Sequence, residues 1–395
     1  MEIAKRNVVV LAACQALLFT NNSTLIALNG LVGYAIAPDK RLATLPVTGW
    51  VIGAALTTFF ASLLMKRIGR RAGFMFGTMV GIVGALICST AIYLGHFWLF
   101  CSGTVVFGVY NAFGQYYRFA AADTGSVEFR SKAISFVVAG GLVGGILGPT
   151  SSRFTMDLLP TMYLGAYLAL IGILVLVLLV LTQLRIPLPS EKEAHEGGRP
   201  LLQIMKQPAY IVAVVAAGFG YGIMNLLMTA TPLAMGVCGH PYSAAATVIS
   251  WHVIGMFAPS FFTGSLVKRF GVLNMMMAGV ALNLACVAIA IAGVDVANFW
   301  FSLVLLGVGW NFLFISGTTL LTETYRPEER AKAQGANDLT IFIIMATSSF
   351  ASGVVLEASG WNTLNFLALP FIGAVALAVV WLMLRRRALA APRPA

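Results

Sequence analysis

One feature constrains this chain above all others: apolar stretches long enough to cross a bilayer recur along its whole length. A helix needs about 20 predominantly apolar residues to span the hydrocarbon core. Twelve stretches meet that requirement, near 7–36, 42–65, 72–94, 97–122, 132–154, 159–184, 207–231, 242–266, 272–294, 297–321, 333–356 and 361–384. The segments between them are too short for a soluble domain. Hydrophobic residues make up 59% of the chain and charged residues 10%, where a soluble globular domain carries roughly 25% charged residues. A water-soluble enzyme is thereby excluded, and no nucleophile–base pair is legible. The first stretch is too long for a signal peptide and lacks a small-residue cleavage site, so no cleavable leader is expected.

The formal net charge is +11. Nucleic-acid binding would require a basic, water-exposed domain, and none is legible. The charge reads instead as topology. With both termini in the cytoplasm, 21 of the 25 Lys and Arg residues fall on the inner side, as the positive-inside rule demands. Lys40, Arg41 and Arg153 fall outside, and Arg118 lies within the fourth stretch. The expected setting is a bacterial inner membrane, with lipid as the surrounding partner.

The loops repeat. Lys66-Arg67-Ile68-Gly69 follows the second stretch, and Lys268-Arg269-Phe270-Gly271 follows the eighth. Arg130-Ser131-Lys132-Ala133 precedes the fifth, and Arg330-Ala331-Lys332-Ala333 precedes the eleventh. Asn111 and Asn311 share the second offset. Equivalent loops in equivalent places predict two six-helix repeats related by an axis along the membrane normal. The expected fold class is an all-α membrane protein of twelve transmembrane helices. Residues 1–185 and 207–395 form the halves, and 186–206 form a cytoplasmic linker.

Over essentially its whole length the chain resembles the major facilitator superfamily. Ser62-Leu63-Leu64-Met65-Lys66-Arg67-Ile68-Gly69-Arg70-Arg71 matches that family's helix 2–3 loop in its basic residues and Gly69. Ser62 stands where the family usually has glycine, and Lys66 where aspartate is common. Gly140, Gly141, Gly144, Gly145 and Gly148 are similar to its glycine-rich fifth helix, though the spacing differs from the antiporter form. Close helix packing through small residues explains them. The resemblance implies a transporter working by alternating access.

Ionisable groups within a span are costly and mark function. All fourteen acids are expected in loops or near span ends, with Asp123, Glu323 and Asp338 toward the cytoplasmic face. Arg118, with Asn111 and Gln115 before it, has two readings. Its guanidinium binds an anionic substrate, or it pairs with Asp123 or Asp338 and closes a cytoplasmic gate. Asn21, Asn22, Ser23 and Thr24 interrupt the apolar run of the first stretch, either lining a cavity or packing between helices.

His252 is expected about 14 Å deep, at 1.5 Å per residue. Met256 follows at i+4 on the same face. Met224 and Met228 form another i,i+4 pair on the preceding, antiparallel stretch. Three thioethers and one imidazole make a soft, uncharged ligand set suited to copper. Each pair alone is weak, because a chain with 16 methionines forms such pairs by chance, as Met75 and Met79 do. Met235, Cys238 and His240 are placed in an outer loop, as relay or as ordinary loop residues. The five cysteines form no CxxC pair, and Cys14, Cys88, Cys101 and Cys286, in apolar spans, read as packing residues.

The two Met and His motifs resemble those of the CcoA-type copper importers, a branch of the superfamily related to riboflavin importers. The resemblance implies metal handling by Met224, Met228, His252 and Met256, with no resident cofactor. It implies copper import for assembly of haem-copper oxidases, and a cytoplasmic copper acceptor as partner. A monomer is expected. The competing expectations are an organic-solute importer of riboflavin type, using Arg118, Asn111, Gln115 and aromatic walls, and a non-transporting membrane receptor. Short loops offer the receptor no partner-binding domain.

Overall fold

The computed structural model describes residues 2–39, 42, 45–123, 129–188 and 198–390. Lys40, Arg41, Lys192, His195, Arg393 and linker residues 189–197 lie outside the described residues. Every regular element among the described residues is helical. In chain order these are α1 (Glu2–Ile36), α2 (Leu45–Ile68), α3 (Arg70–Leu94), α4 (Phe97–Gly114), α5 (Tyr117–Asp123), α6 (Arg130–Thr155) and α7 (Leu164–Leu181). There follow α8 (Leu201–Met205), α9 (Pro208–Val237), α10 (Tyr242–Phe257), α11 (Ser260–Phe270), α12 (Val272–Ala292), α13 (Val296–Leu321) and α14 (Arg330–Ala390).

Among the described residues ten helices are long and apolar enough to cross a membrane, or eleven when the bent pair α10–α11 is taken as one span. The segment Pro327–Leu389 has 63 residues, about three times what one crossing needs. It breaks at Gly360, whose φ is 77°. Division there recovers the eleventh and twelfth expected stretches as separate spans.

Two other expected helices are interrupted. The fourth stretch turns at Gln115–Tyr116, where the Tyr116 N–H bonds the Phe113 carbonyl at 3.1 Å in a tightened i−3 turn. The eighth bends by 42° between α10 and α11. The cause is Pro259, which supplies no N–H to the helical ladder. The polar run Asn21–Thr24 leaves α1 continuous.

By its contacts the chain divides into two compact units. One comprises Met1–Val127, Phe136–Gly198 and Pro327–Phe342; the other comprises Glu128–Ser135, Arg199–Arg326 and Ile343–Ala395. In the first, the glycine-rich face of α6 beds into α1. A methyl added at Gly140 would lie 2.4 Å from the Ala12 carbonyl oxygen, and one at Gly144 would lie 2.3 Å from that of Ala16. At Gly148 it would lie 2.6 Å from the Thr20 oxygen. These residues are there for close packing, as the sequence suggested. In the second unit, α13 meets α10 in the same way at Gly307, where a methyl would lie 2.6 Å from the His252 carbonyl oxygen.

The repeated basic loops share one backbone form. Gly69 has φ 85° and ψ 162°, and Gly271 has φ 86° and ψ 150°. Each also returns the same bonds. Gly69 N–H donates to Met65 at 3.0 Å, and Gly271 N–H donates to Val267 at 2.9 Å. Only glycine adopts these left-handed values without strain.

Forcing a methyl into a packed helix contact costs about 1–3 kcal/mol. Gly144→Ala is therefore expected to lower the thermal midpoint of detergent-solubilised protein. Gly172→Ala, where a methyl meets nothing within 4 Å, is expected to leave it unchanged. Fluorescence-detected unfolding of the pair measures the difference.

Candidate functional site

In the first unit, Arg118 lies on α5, just beyond the turn at Gln115–Tyr116, and is 4% exposed. Its Nη2 donates to Asp338 Oδ1 at 2.6 Å. Its Nη1 donates to the Gln115 carbonyl at 2.9 Å and to Gln115 Oε1 at 3.2 Å. Of the two expectations for Arg118, the structure shows pairing, and with Asp338 rather than Asp123. Asp338 is itself only 2% exposed. α14 begins at Arg330, three residues before the expected eleventh stretch, so Asp338 sits two turns inside a helix. Asp338 thus lies near the N-terminal end of this long helix, within the expected eleventh stretch.

Asp123 serves other partners. It accepts from Arg70 Nη2 at 3.0 Å and from Arg330 Nη1 at 3.1 Å. Arg70 also donates to Gln334 Oε1 at 2.6 Å. Ser62, at the family's usual glycine position, donates its hydroxyl to the Ala331 carbonyl at 2.6 Å. Beside these groups lies a cavity of about 210 Å³, lined among others by Lys66, Arg70, Asp123 and Arg330. Glu323 pairs separately with Arg386 at 2.8 Å.

Asn111 and Asn311 share their repeat position but bond differently. Asn111 Oδ1 accepts from Asn22 Nδ2 at 2.9 Å and from Gln115 Nε2 at 3.2 Å, which ties α1 to the turn before Arg118. Asn311, in the second unit, braces the Pro259 break. Its Nδ2 donates to the Met256 carbonyl at 2.7 Å and to Ser260 Oγ at 2.5 Å. Its Oδ1 accepts from Thr263 Oγ1 at 2.7 Å. Pro259 itself was legible inside the eighth stretch, but its brace was not, because the partner lies 55 positions away.

His252 is fully buried. Its Nδ1 lies 2.7 Å from the Leu303 carbonyl oxygen. A carbonyl only accepts, so Nδ1 carries the proton and Nε2 presents its lone pair. Nε2 has no hydrogen-bond partner among the described residues. Met224 and Met256 are buried and Met228 is half-buried. Among the described residues no three His, Cys, Asp or Glu side chains converge. The structure thus fixes His252 to α13. Asn225, between the two helix-α9 methionines, donates to the Met345 carbonyl at 3.0 Å and to Ser348 Oγ at 3.1 Å.

The placement of Met235 is corrected. α9 runs on to Val237, so Met235 is a fully buried helical residue and not part of an outer loop. Cys238 follows the helix end and is exposed. His240 Nε2 lies 2.6 Å from the Val294 carbonyl oxygen, and its ring lies 6.0 Å from that of Phe299. Cys14, Cys88 and Cys286 are buried, as packing residues should be.

Membrane-length helices around a polar interior define a multi-pass transporter class, and the sequence profile of the Major Facilitator Superfamily matches residues 11–259 and 239–395. The chain belongs to that superfamily, and it is a transporter, not an enzyme. It is 42% identical over 385 residues to the riboflavin transporter RfnT of Brucella anthropi, covering 97% of this chain and 96% of that one. It is 28% identical to the MFS-type transporter YddS of Bacillus subtilis, over 86% of this chain and 82% of that one. Among solved structures it is similar to the transporter FucP in its outward conformation. There the TM-score is 0.78 at 17% identity, over 95% of this chain and 98% of the other. A bacterial homologue of the iron transporter ferroportin gives a TM-score of 0.76 at 12% identity, over 95% and 98% of the two chains.

Removing one member of a buried ion pair strands the other and costs about 3–5 kcal/mol. Asp338→Leu and Arg118→Met are each expected to destabilise the protein by that order. The double variant Arg118→Met/Asp338→Leu is expected to be more stable than either single variant. Thermal midpoints of the full cycle in detergent test this, and additive losses would count against a buried pair.

Proposed function

We propose that the chain imports a flavin-class organic solute across the bacterial inner membrane by alternating access, with both termini in the cytoplasm. One observation carries the proposal: the 42% identity, along nearly the full length of both chains, to a transporter named for riboflavin. The copper expectation rests on four residues, Met224, Met228, His252 and Met256.

The chemistry of the interior supports the organic solute. Arg118 and Asp338 bind each other, so the buried guanidinium already has its counter-charge. An anionic substrate would have to displace Asp338, whereas an uncharged solute leaves the pair intact. Riboflavin is such a solute. Its polyol chain calls for hydrogen bonds from neutral amides, and Asn22, Asn111 and Gln115 are joined in one amide network. Arg118, held against Gln115, orders that network and does not serve as the ligand. The Arg118–Asp338 pair is assigned to holding one state of the transport cycle.

One observation favours copper as a second reading. His252 keeps its Nδ1 proton on a backbone carbonyl and turns an unpartnered Nε2 inward. This is the arrangement by which protein carbonyls orient metal-ligating imidazoles. In that case copper is the cargo and an oxidase-assembly acceptor its recipient.

Uptake of radiolabelled riboflavin and of radiolabelled copper, in cells expressing wild type or His252→Ala, separates the two. The expected result is riboflavin accumulation above the empty-vector level, growth of a riboflavin auxotroph on low vitamin, and background copper. Copper uptake lost in His252→Ala, without riboflavin uptake by wild type, would establish the second reading instead.

A further inference from the structure

The second unit contains an aromatic cluster to which no role has been given. It joins Tyr221 of α9, Phe257 at the end of α10, and Trp310 and Phe314 of α13. Trp310 and Phe314 stand at i,i+4 on one helical face. They stack with ring centroids 4.9 Å apart and planes 13° apart. Tyr221 meets both edge-on, at 5.3 Å from Trp310 and 5.6 Å from Phe314. Phe257 meets Trp310 edge-on at 5.7 Å.

Two details distinguish this cluster from ordinary core packing. Trp310 is 1% exposed, yet among the described residues its indole Nε1 has no hydrogen-bond partner. A buried indole N–H usually finds an acceptor, and a hydrocarbon environment offers no water in its place. Tyr221 is half-buried while the other three rings are buried.

The surroundings hold these rings in place. Trp310 immediately precedes Asn311, and Phe257 immediately follows Met256, whose carbonyl Asn311 binds. The Pro259 break and its brace therefore fix the backbones that carry Phe257 and Trp310. All three helices place the rings in mid-span: Tyr221 and Trp310 are near the centres of α9 and α13, and Phe257 is next to the bend.

We propose that Tyr221, Phe257, Trp310 and Phe314 form the surface that receives the planar isoalloxazine ring of the transported flavin, with Trp310 Nε1–H donating to an acceptor on that ring. The assignment rests on flavin import. It divides recognition of the ligand in two: a flat heteroaromatic ring stacks on electron-rich indole and phenol faces, and the polyol chain is left to amide groups. Stacking of one base on one aromatic side chain changes affinity roughly tenfold or more.

The test uses purified full-length protein and three probes: riboflavin, lumiflavin (the ring without its polyol) and ribitol (the polyol without its ring). Lumiflavin is expected to compete for riboflavin binding to wild type, and ribitol is not. Flavin fluorescence is expected to be quenched on binding. Trp310→Leu is expected to abolish that quenching and to raise the uptake KM roughly tenfold. Trp310→Phe, which keeps a ring but loses the N–H, is expected to fall between. Tyr221→Leu, at the half-buried ring, supplies an independent variant should Trp310→Leu fold poorly. If wild type transports riboflavin while folded Tyr221→Leu and Trp310→Phe retain its KM and its quenching, the cluster is packing and the assignment is overturned. If wild type neither binds nor transports riboflavin, flavin import itself fails and the assignment falls with it.

Discussion

A peptide group without a partner in hydrocarbon costs several kcal/mol, because no water is present to replace the missing bond. Much of the observed detail answers that cost. Where α4 gives way to α5, the Tyr116 N–H shortens its reach to the Phe113 carbonyl and the ladder continues. Beside the Pro259 break, Asn311 brings an amide from a neighbouring helix to the Met256 carbonyl. That single side chain also holds Ser260 and Thr263, so it governs both segments of the bent span. The polar residues of the interior are therefore first of all backbone repair and helix ties. Their availability to a ligand is secondary.

The same economy applies to charge. The deeply buried ion pair, Arg118–Asp338, is closed on itself, and Asp123 gathers Arg70 and Arg330. The Arg118–Asp338 pair is neutral in sum, whereas Arg70 and Arg330 share the one Asp123 carboxylate and leave an excess of positive charge beside the cavity.

Much of the fold was legible because a bilayer imposes a length and a hydropathy on every span, and a duplicated loop betrays a repeat. The glycine ridge at Gly140, Gly144 and Gly148 was legible too, since small residues at i,i+4 have few other uses in a membrane. Pro259 should have placed the bend in the eighth span, because its missing donor is a property of the residue and not of its neighbours. The rest depends on pairings across the sequence. Asp338 and Asp123 were both candidates for Arg118, and only the folded contacts select Asp338 and leave Asp123 to Arg70 and Arg330. Met235 was misplaced because α9 outlasts its most apolar segment. The aromatic cluster draws on three helices, and its members sit too far apart in sequence to form a pattern. The Met and His pairs, by contrast, do form a pattern in sequence, which gave copper its weight. A likeness spread over the whole chain favours the flavin.

The loop glycines Gly69 and Gly271 have a consequence of another kind. Their φ values of 85° and 86° belong to the half of conformational space that a mirror-image amino acid occupies by preference. A D-alanine installed at either position by semisynthesis would sit without strain and would remove freedom from the unfolded chain. Backbone handedness, beside the shared Lys-Arg pair, is what the two copies of this loop hold in common.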